Sequence, residues 1–167
     1  MQLDYFNSFT PDDLALLWRA AVMAGATVAI SRYSGRGGTN NEFQAIVSGL
    51  EAAAQQHPAN PLVQALLTSD SRAYAASLAR QFQTDIRQTT FQDIKLAALN
   101  RCAQAAELLD QKAPADQGLE VKQSILSMCR AVAHASKEGG WHSGNPVDVK
   151  EEGVIEELER ALGVALP

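Results

Sequence analysis

Thr10-Pro11-Asp12-Asp13 opens the stretch that decides the fold, because it combines three signals for the start of a helix. Threonine is a preferred N-cap residue, proline fits the first turn, and acidic side chains there interact favourably with the helix dipole. Apolar residues then follow at intervals of three and four positions: Leu14, Leu17, Trp18, Ala21, Val22 and Val28. This spacing predicts a helix with one buried stripe that runs to about Arg32.

Similar signals mark the helices that follow. The glycines of the segment Tyr33–Gly38 predict a loop, and Thr39 with Glu42 forms a capping box for a second helix that stops at His57-Pro58. Further helix starts are predicted at Asn60-Pro61, at Ser69-Asp70-Ser71, at Thr90 with Asp93 and at Asp148 with Glu151, and helix ends before Pro114 and at Gly163. One more helix, with apolar positions from Leu119 to Ala133, is expected between Pro114 and the last start.

Size and composition agree with a helical domain. The chain has 167 residues, of which 46% are hydrophobic and 20% charged, with abundant alanine and few β-branched runs. A globule of this length can bury a self-sufficient core. We therefore predict an all-α fold, a single compact domain of about six to seven helices over residues 11–167, with residues 1–10 as an N-terminal tail.

The net charge and the hydropathy of the chain limit the kinds of partner and the cellular location that we expect for the protein. The net charge of −5 would repel nucleic acid, so no nucleic-acid partner is expected. The first ten residues lack the cationic start and apolar run of a signal peptide, and no stretch reaches the roughly 20 apolar residues of a membrane span. A cytoplasmic protein with no membrane span is expected. Cys102 and Cys129 lie in separate helical patterns and are predicted to be small core thiols, with neither a disulfide nor a zinc site.

The chain contains an apparent internal repeat, in which each half consists of an alanine-rich helix, a glycine-containing loop, a capping box and an amphipathic helix. The matched positions are Val28-Ala29 with Val132-Ala133, Gly35 with Gly139, Thr39 and Glu42 with Asp148 and Glu151, and Ile46 with Ile155. The pattern predicts two related helix-loop-helix units that pack together. The side chains expected in their shared core are Trp18, Val22, Ile46, Leu50, Ile155 and Leu158.

The second unit resembles the tellurite-resistance TerB-like family in its segments Ala131–Gly140 and Val147–Glu152 and in the helix that follows to Gly163. An alanine-rich helix, an acidic glycine turn, a cap and paired glutamates are typical of that family. The resemblance implies a non-catalytic module in a stress response to toxic oxyanions, with a divalent cation held by the acidic turns. The first loop departs from the family pattern, because it carries Arg32, Ser34 and Arg36 where the turn is usually acidic.

Two ion sites are predicted at these loops. In the second loop, carboxylate and imidazole side chains could coordinate a divalent cation: Glu138, His142, Asp148 and Glu151. In the first, arginines and free backbone N–H groups at a helix start could hold a small anion: Arg32, Arg36, Thr39 and Asn40. The structural alternatives are that Asp148 and Glu151 only cap a helix and that the glycines only connect two helices. Any cation site is expected at the second loop.

No set of nucleophile, base and orienting group is fixed by any motif, so the chain is not expected to be an enzyme. The glutamates between Glu151 and Glu159 are expected to form a solvated helix face. The predicted function is a non-catalytic binding or scaffolding module that acts through a protein partner or self-association. The alternative is a small-anion or divalent-metal-binding protein that uses one of the two glycine-containing loops.

Overall fold

A computed structural model describes residues 4–31, 36–84, 88–135 and 149–164, and in these ranges the chain is all-helical with no β-strand. A short 3-10 turn, Phe6–Ser8, precedes seven α-helices in the described part: α1 (Pro11–Ser31), α2 (Arg36–Gln56), α3 (Pro61–Gln64), α4 (Ser69–Thr84), α5 (Gln88–Lys112), α6 (Ala115–Ala135) and α7 (Val149–Leu162). The predicted fold class and helix count are confirmed. The internal repeat stays a prediction, since α2 lies along α6 whereas α7 lies mainly against α5 and α1.

Helix α1 is the centre of the molecule. Every residue from Ala20 to Ile30 is buried, and the helix contacts α2, α4, α5, α6 and α7. The expectation of one buried stripe is therefore wrong for this half of α1, because small side chains on all sides let neighbouring helices pack around it. Among the described helices it alone is long and apolar enough to cross a membrane, yet 72% of its apolar window is buried inside the protein.

Three helices approach closely where α1, α2 and α6 meet. A Cβ atom added to Gly25 of α1 would lie 2.8 Å from Cγ1 of Ile46 and 2.8 Å from Sδ of Met128. A Cβ atom on Gly49 of α2 would lie 2.9 Å from Cγ of the same methionine. Both glycines are needed because a larger side chain would hold the helices apart.

Several predicted helix ends are confirmed by their hydrogen bonds. The Thr10 hydroxyl accepts from the Asp13 N–H at 3.1 Å while the Asp13 carboxylate accepts from the Thr10 N–H at 2.8 Å. The Asn60 side chain accepts from Leu62 N–H at 3.0 Å and caps α3. At the far end, Gly163 has a φ of 66° and the next N–H bonds to the Glu159 carbonyl at 3.1 Å, which is a glycine-terminated helix end.

Three predicted starts are corrected. Helix α4 is capped by Thr68, whose hydroxyl accepts from the Ser71 N–H at 3.0 Å, so the cap precedes the Ser69-Asp70-Ser71 cluster by one residue. Helix α5 begins at Gln88, which places Thr90 inside it, and α2 begins at Arg36, which places Thr39 inside its first turns. Glycines at 37 and 38 did not prevent helix formation, because a helical glycine costs only about 1 kcal/mol and packing elsewhere in α2 outweighs that.

The expected core is largely confirmed. Val22, Ile46, Leu50, Ile155 and Leu158 are buried, and both cysteines are buried free thiols. Trp18 is an exception, because it is half-buried at the edge of the core, where its ring meets that of Tyr74 edge-on at 5.8 Å. In the N-terminal tail, Phe9 is buried and the Tyr5 hydroxyl donates to Gln117, so these two side chains pack on the domain.

Candidate functional site

The two predicted ion sites are only partly within the described residues. Arg32, Glu138, His142 and Asp148 lie outside them, while Arg36, Thr39 and Asn40 belong to the first turns of α2. Glu151 belongs to the first turn of α7. No group of three or more histidine, cysteine, aspartate or glutamate side chains suited to a metal ion occurs among the described residues. Both ion sites stay predictions.

Buried carboxylates are the first feature that differs from the sequence-based expectation. Glu42 near the start of α2 and Glu151 at the start of α7 are 0% and 1% exposed, although Glu42 was expected only to cap a helix and Glu151 either to cap a helix or to bind a cation. The acidic face of α7 is also not fully solvated, since Glu159 is buried and accepts from Arg130 of α6 at 2.7 Å. Glu152 and Glu156 are the exposed members of that run. The helical spacing of these glutamates already divides them between two faces of α7. Which of the two faces packs against α6 cannot be read from this spacing, because it depends on how the helices pack.

A surface groove lies between α2 and α4. Arg72 near the start of α4 pairs with Glu51 near the end of α2, which shows that these helices run in opposite directions. The groove has a volume of about 300 Å³ and is lined by side chains of both helices: Phe43, Gln44 and Val47 of α2, and Arg72, Ala75, Ala76, Ala79 and Arg80 of α4. We call this feature the α2/α4 groove.

The groove exists because of the side-chain sizes on its two walls. Helix α4 contributes only methyl groups at Ala75, Ala76 and Ala79, so the space above it stays empty. Helix α2 contributes the buried ring of Phe43 and the half-buried Val47, which form an apolar wall. Pockets that bind ligands are predominantly apolar and begin at about this volume. The floor of the groove is therefore suited to apolar side chains.

Two arginines lie on the rim of the groove. Arg72 and Arg80 are both exposed and lie on the same side of α4, two helical turns or about 12 Å apart along the axis. The Arg72 guanidinium donates to Glu51 at 3.0 Å, and both side chains of this pair are about half exposed. Exposed ion pairs contribute little to stability, so Arg72 can exchange Glu51 for another carboxylate at small cost. The rim can therefore bind an anionic group beside the apolar floor.

A second cleft of about 480 Å³ lies where the N-terminal segment meets α3, and it is lined by Phe6, Pro58, Ala59, Pro61, Gln64 and Ala65. Its lining contains no charged side chain. The His57 ring lies 3.6 Å from the Glu120 carboxylate nearby, and Glu120 also accepts from Asn60 at 2.9 Å. This cleft is large enough for a ligand, but no charged side chain in its lining could orient one.

The α2/α4 groove was not among the sites predicted from the sequence. A usable signal was present in α4, where alanines at 75, 76 and 79 lie between Arg72 and Arg80 at helical spacing. The signal was incomplete, because the opposite wall is formed by a helix distant in sequence. Comparison with known proteins adds no further assignment, since no family model, no curated protein and no solved structure matches the chain.

Proposed function

We propose that this protein is a non-catalytic binding module and that the α2/α4 groove is where it holds its partner. The observation that carries the proposal is the combination of an apolar floor with two arginines on the rim. An apolar groove exposed to water gains free energy when another apolar surface covers it. Charged groups beside such a floor supply orientation and specificity.

The state of the two cysteines supports a binding function over nucleophilic chemistry. Burial raises the pKa of Cys102 to about 12, and burial together with the neighbouring Cys102 raises the pKa of Cys129 well above its ordinary value. Only the thiolate is a nucleophile, so neither side chain is reactive near neutral pH. The groove itself is lined by arginine, glutamine and apolar side chains, a set that binds groups and does not transfer protons at neutral pH.

A neutral aromatic probe tests the groove. Indole added to ¹⁵N-labelled protein should shift the amide resonances of Val47, Ala76 and Ala79, because an aromatic ring fits the apolar floor. Ala76→Trp fills the groove and should abolish these shifts, whereas Ala73→Trp should not, because Ala73 is exposed on the same helix without lining the groove. Shifts confined to other regions, or shifts that survive Ala76→Trp, would contradict the proposal.

The TerB-like resemblance supplies a proposed setting for this module, a cytoplasmic stress response to toxic oxyanions. Deleting the gene in the source organism should then lower the tellurite concentration that the cells tolerate. Complementation with the unmodified gene should restore tolerance. Equal tolerance with and without the gene would contradict the proposed role in the response to oxyanions. The proposal that the α2/α4 groove binds a partner would not be affected by this result.

A divalent-cation-binding protein is the second candidate, and Glu151, one of the ligands predicted for the second loop, is buried at the start of α7. A ligand that binds only the native state raises the melting temperature. Mn²⁺ should therefore raise the Tm of the unmodified protein and of Glu152→Gln, an exposed neighbour, but not of Glu151→Gln. The candidate fails if Mn²⁺ leaves all three melting temperatures unchanged or raises all three equally.

A further inference from the structure

We propose that the α2/α4 groove binds an acidic amphipathic helix of a partner protein, whose carboxylates pair with Arg72 and Arg80 and whose apolar side chains enter the space between them. This inference rests on the proposed function and names the class of partner. The proposed partner is defined by the charge and the spacing of the residues that contact the groove.

The shape of the groove suits a helix. Two antiparallel helices leave a straight seam, and a third helix can pack along such a seam when small side chains allow its axis within about 8–10 Å. The exposed Ala76 and half-buried Ala79 provide that close approach on the α4 side. The volume of about 300 Å³ leaves room for large apolar side chains of the incoming helix. Recognition of one helical face by an apolar groove follows the i, i+3, i+4, i+7 pattern.

The arginine spacing sets the positions of the acidic residues on the partner. Residues seven apart on a helix are separated by about 10.5 Å along its axis, which is close to the separation of roughly 12 Å between the two arginine positions. Acids at i and i+7 therefore face Arg72 and Arg80, and residues i+3 and i+4 face the alanines between them. An arginine can bind a carboxylate through two parallel hydrogen bonds, which favours carboxylates over neutral amides. The expected contact pattern is Glu-x-x-Leu-Leu-x-x-Glu.

The surroundings of the rim favour a protein helix over other anionic partners. A membrane surface or a nucleic acid would need a larger basic area, but Glu51 pairs with Arg72 and the chain carries a net charge of −5. A small amphiphile would need a pocket that covers most of its surface. The α2/α4 groove is instead open along one side, which leaves a bound helix its solvated face.

The test measures binding of a fluorescein-labelled, helix-stabilised peptide with the pattern Glu-x-x-Leu-Leu-x-x-Glu against the same peptide with both glutamates replaced by glutamine. Fluorescence anisotropy should give a Kd about tenfold lower for the glutamate peptide, and raising the salt concentration should reduce this preference. The double variant Arg72→Gln/Arg80→Gln should bind both peptides equally. Arg160→Gln, which removes an exposed arginine from α7, is the matched control and should keep the preference.

Position-specific variants test where the peptide binds. Ala76→Glu places a carboxylate in the groove and should weaken the glutamate peptide more than the glutamine peptide. Ala73→Glu adds the same charge to an exposed position outside the groove and should change both affinities little. Unchanged melting temperatures for both variants show that the fold is intact.

Three results would overturn the proposal. Equal affinities for the two peptides would mean that the partner is not acidic, and indole binding at Ala76 would then still support the groove as a binding site. Full affinity in Ala76→Glu would place the peptide elsewhere on the molecule. No binding of either peptide, or binding to phosphatidylserine vesicles in their place, would exclude an acidic helix as the occupant.

Discussion

Gly49 marks a tight residue-scale constraint in the core, because the side chain and backbone of Met128 leave no room for a Cβ atom there. The added carbon would lie 2.9 Å from Cγ and 3.1 Å from Cα of Met128. We expect Gly49→Ala to lower the free energy of unfolding by about 1–3 kcal/mol, because the overpacking cost exceeds the helix propensity that alanine gains. Urea denaturation monitored by circular dichroism measures the change.

Gly153 is the matched control for this prediction. It is a helical glycine in α7, and a Cβ atom there would meet nothing within 4 Å. Gly153→Ala should therefore raise the free energy of unfolding by about 0.5–1 kcal/mol, through helix propensity alone. Stabilisation by both substitutions would mean that α2 and α6 can move apart at Met128 without loss.

The buried cysteines give a second residue-scale prediction. Cys102 and Cys129 have no exposed surface, and the Cys102 Sγ lies 3.9 Å from the Ala20 carbonyl oxygen. A thiol reagent such as Ellman's reagent needs an exposed thiolate, so the native protein should react only as fast as its core opens. Both thiols should react at once in denaturant. Rapid labelling of either cysteine without denaturant would contradict the burial described here.

At the scale of helices, the start of α1 carries a pH-dependent contact. The Lys112 ammonium, which hydrogen-bonds the Asp13 carboxylate at 2.7 Å, and the Thr10 N–H hold the pKa of Asp13 below its ordinary value of 3.8. The unfolded chain therefore binds this proton more readily than the folded one, so the contact stabilises the protein above the ordinary pKa. The stability should fall as the pH drops below about 4 and through the lowered pKa.

Two variants isolate this contribution. In Asp13→Asn the free energy of unfolding should depend less steeply on pH between about 4 and 2 than in the unmodified protein, because the lowered pKa is gone. Asp12→Asn removes the same charge from the same turn at an exposed position and should leave the slope closer to that of the unmodified protein. Chemical denaturation across this range measures both slopes. Parallel curves for Asp13→Asn and the unmodified protein would show that the contact with Lys112 does not contribute.

Helix ends also show what local sequence can predict. Thr10, Asn60 and Gly163 were identified correctly, because each forms its cap with residues at most a few positions away. The start of α2 at Arg36 was missed, since α2 as a whole packs on helices distant in sequence, and no local pattern contains those contacts. The α2/α4 groove was missed for the same reason. Its walls come from helices separated by α3 in the chain.

For the whole molecule, the placement of α1 predicts cooperative unfolding. Five helices pack on α1. Displacing α1 would therefore remove contacts from all five helices at once. Circular dichroism at 222 nm and tryptophan fluorescence should therefore give one coincident transition. Val28→Asp buries an uncompensated charge at a fully buried position and should remove the folded state, whereas Leu96→Asp on the exposed surface of α5 should change stability little. Separate transitions for the two probes would contradict this arrangement.

The composition of α1 already indicated that this helix lies at the centre of the molecule. From Ala20 to Ile30 the only polar side chain is Thr27, whose hydroxyl donates to the Met23 carbonyl at 2.8 Å, so the segment is apolar on every side. Periodicity alone favoured a one-sided stripe, because spacing marks where apolar residues recur and not how many neighbours surround them. The fold class and most core positions followed from pattern. The arrangement of the helices, and with it the groove, required the three-dimensional structure.

The central position of α1 also has a consequence for protein synthesis. Helix α1 leaves the ribosome before its partners α5, α6 and α7, so its apolar sides stay uncovered while the chain between them is translated. Contacts between distant parts of a chain form late, and uncovered apolar segments favour aggregation. A nascent chain that stops before α6 therefore exposes to water the apolar sides of a helix that the folded protein encloses.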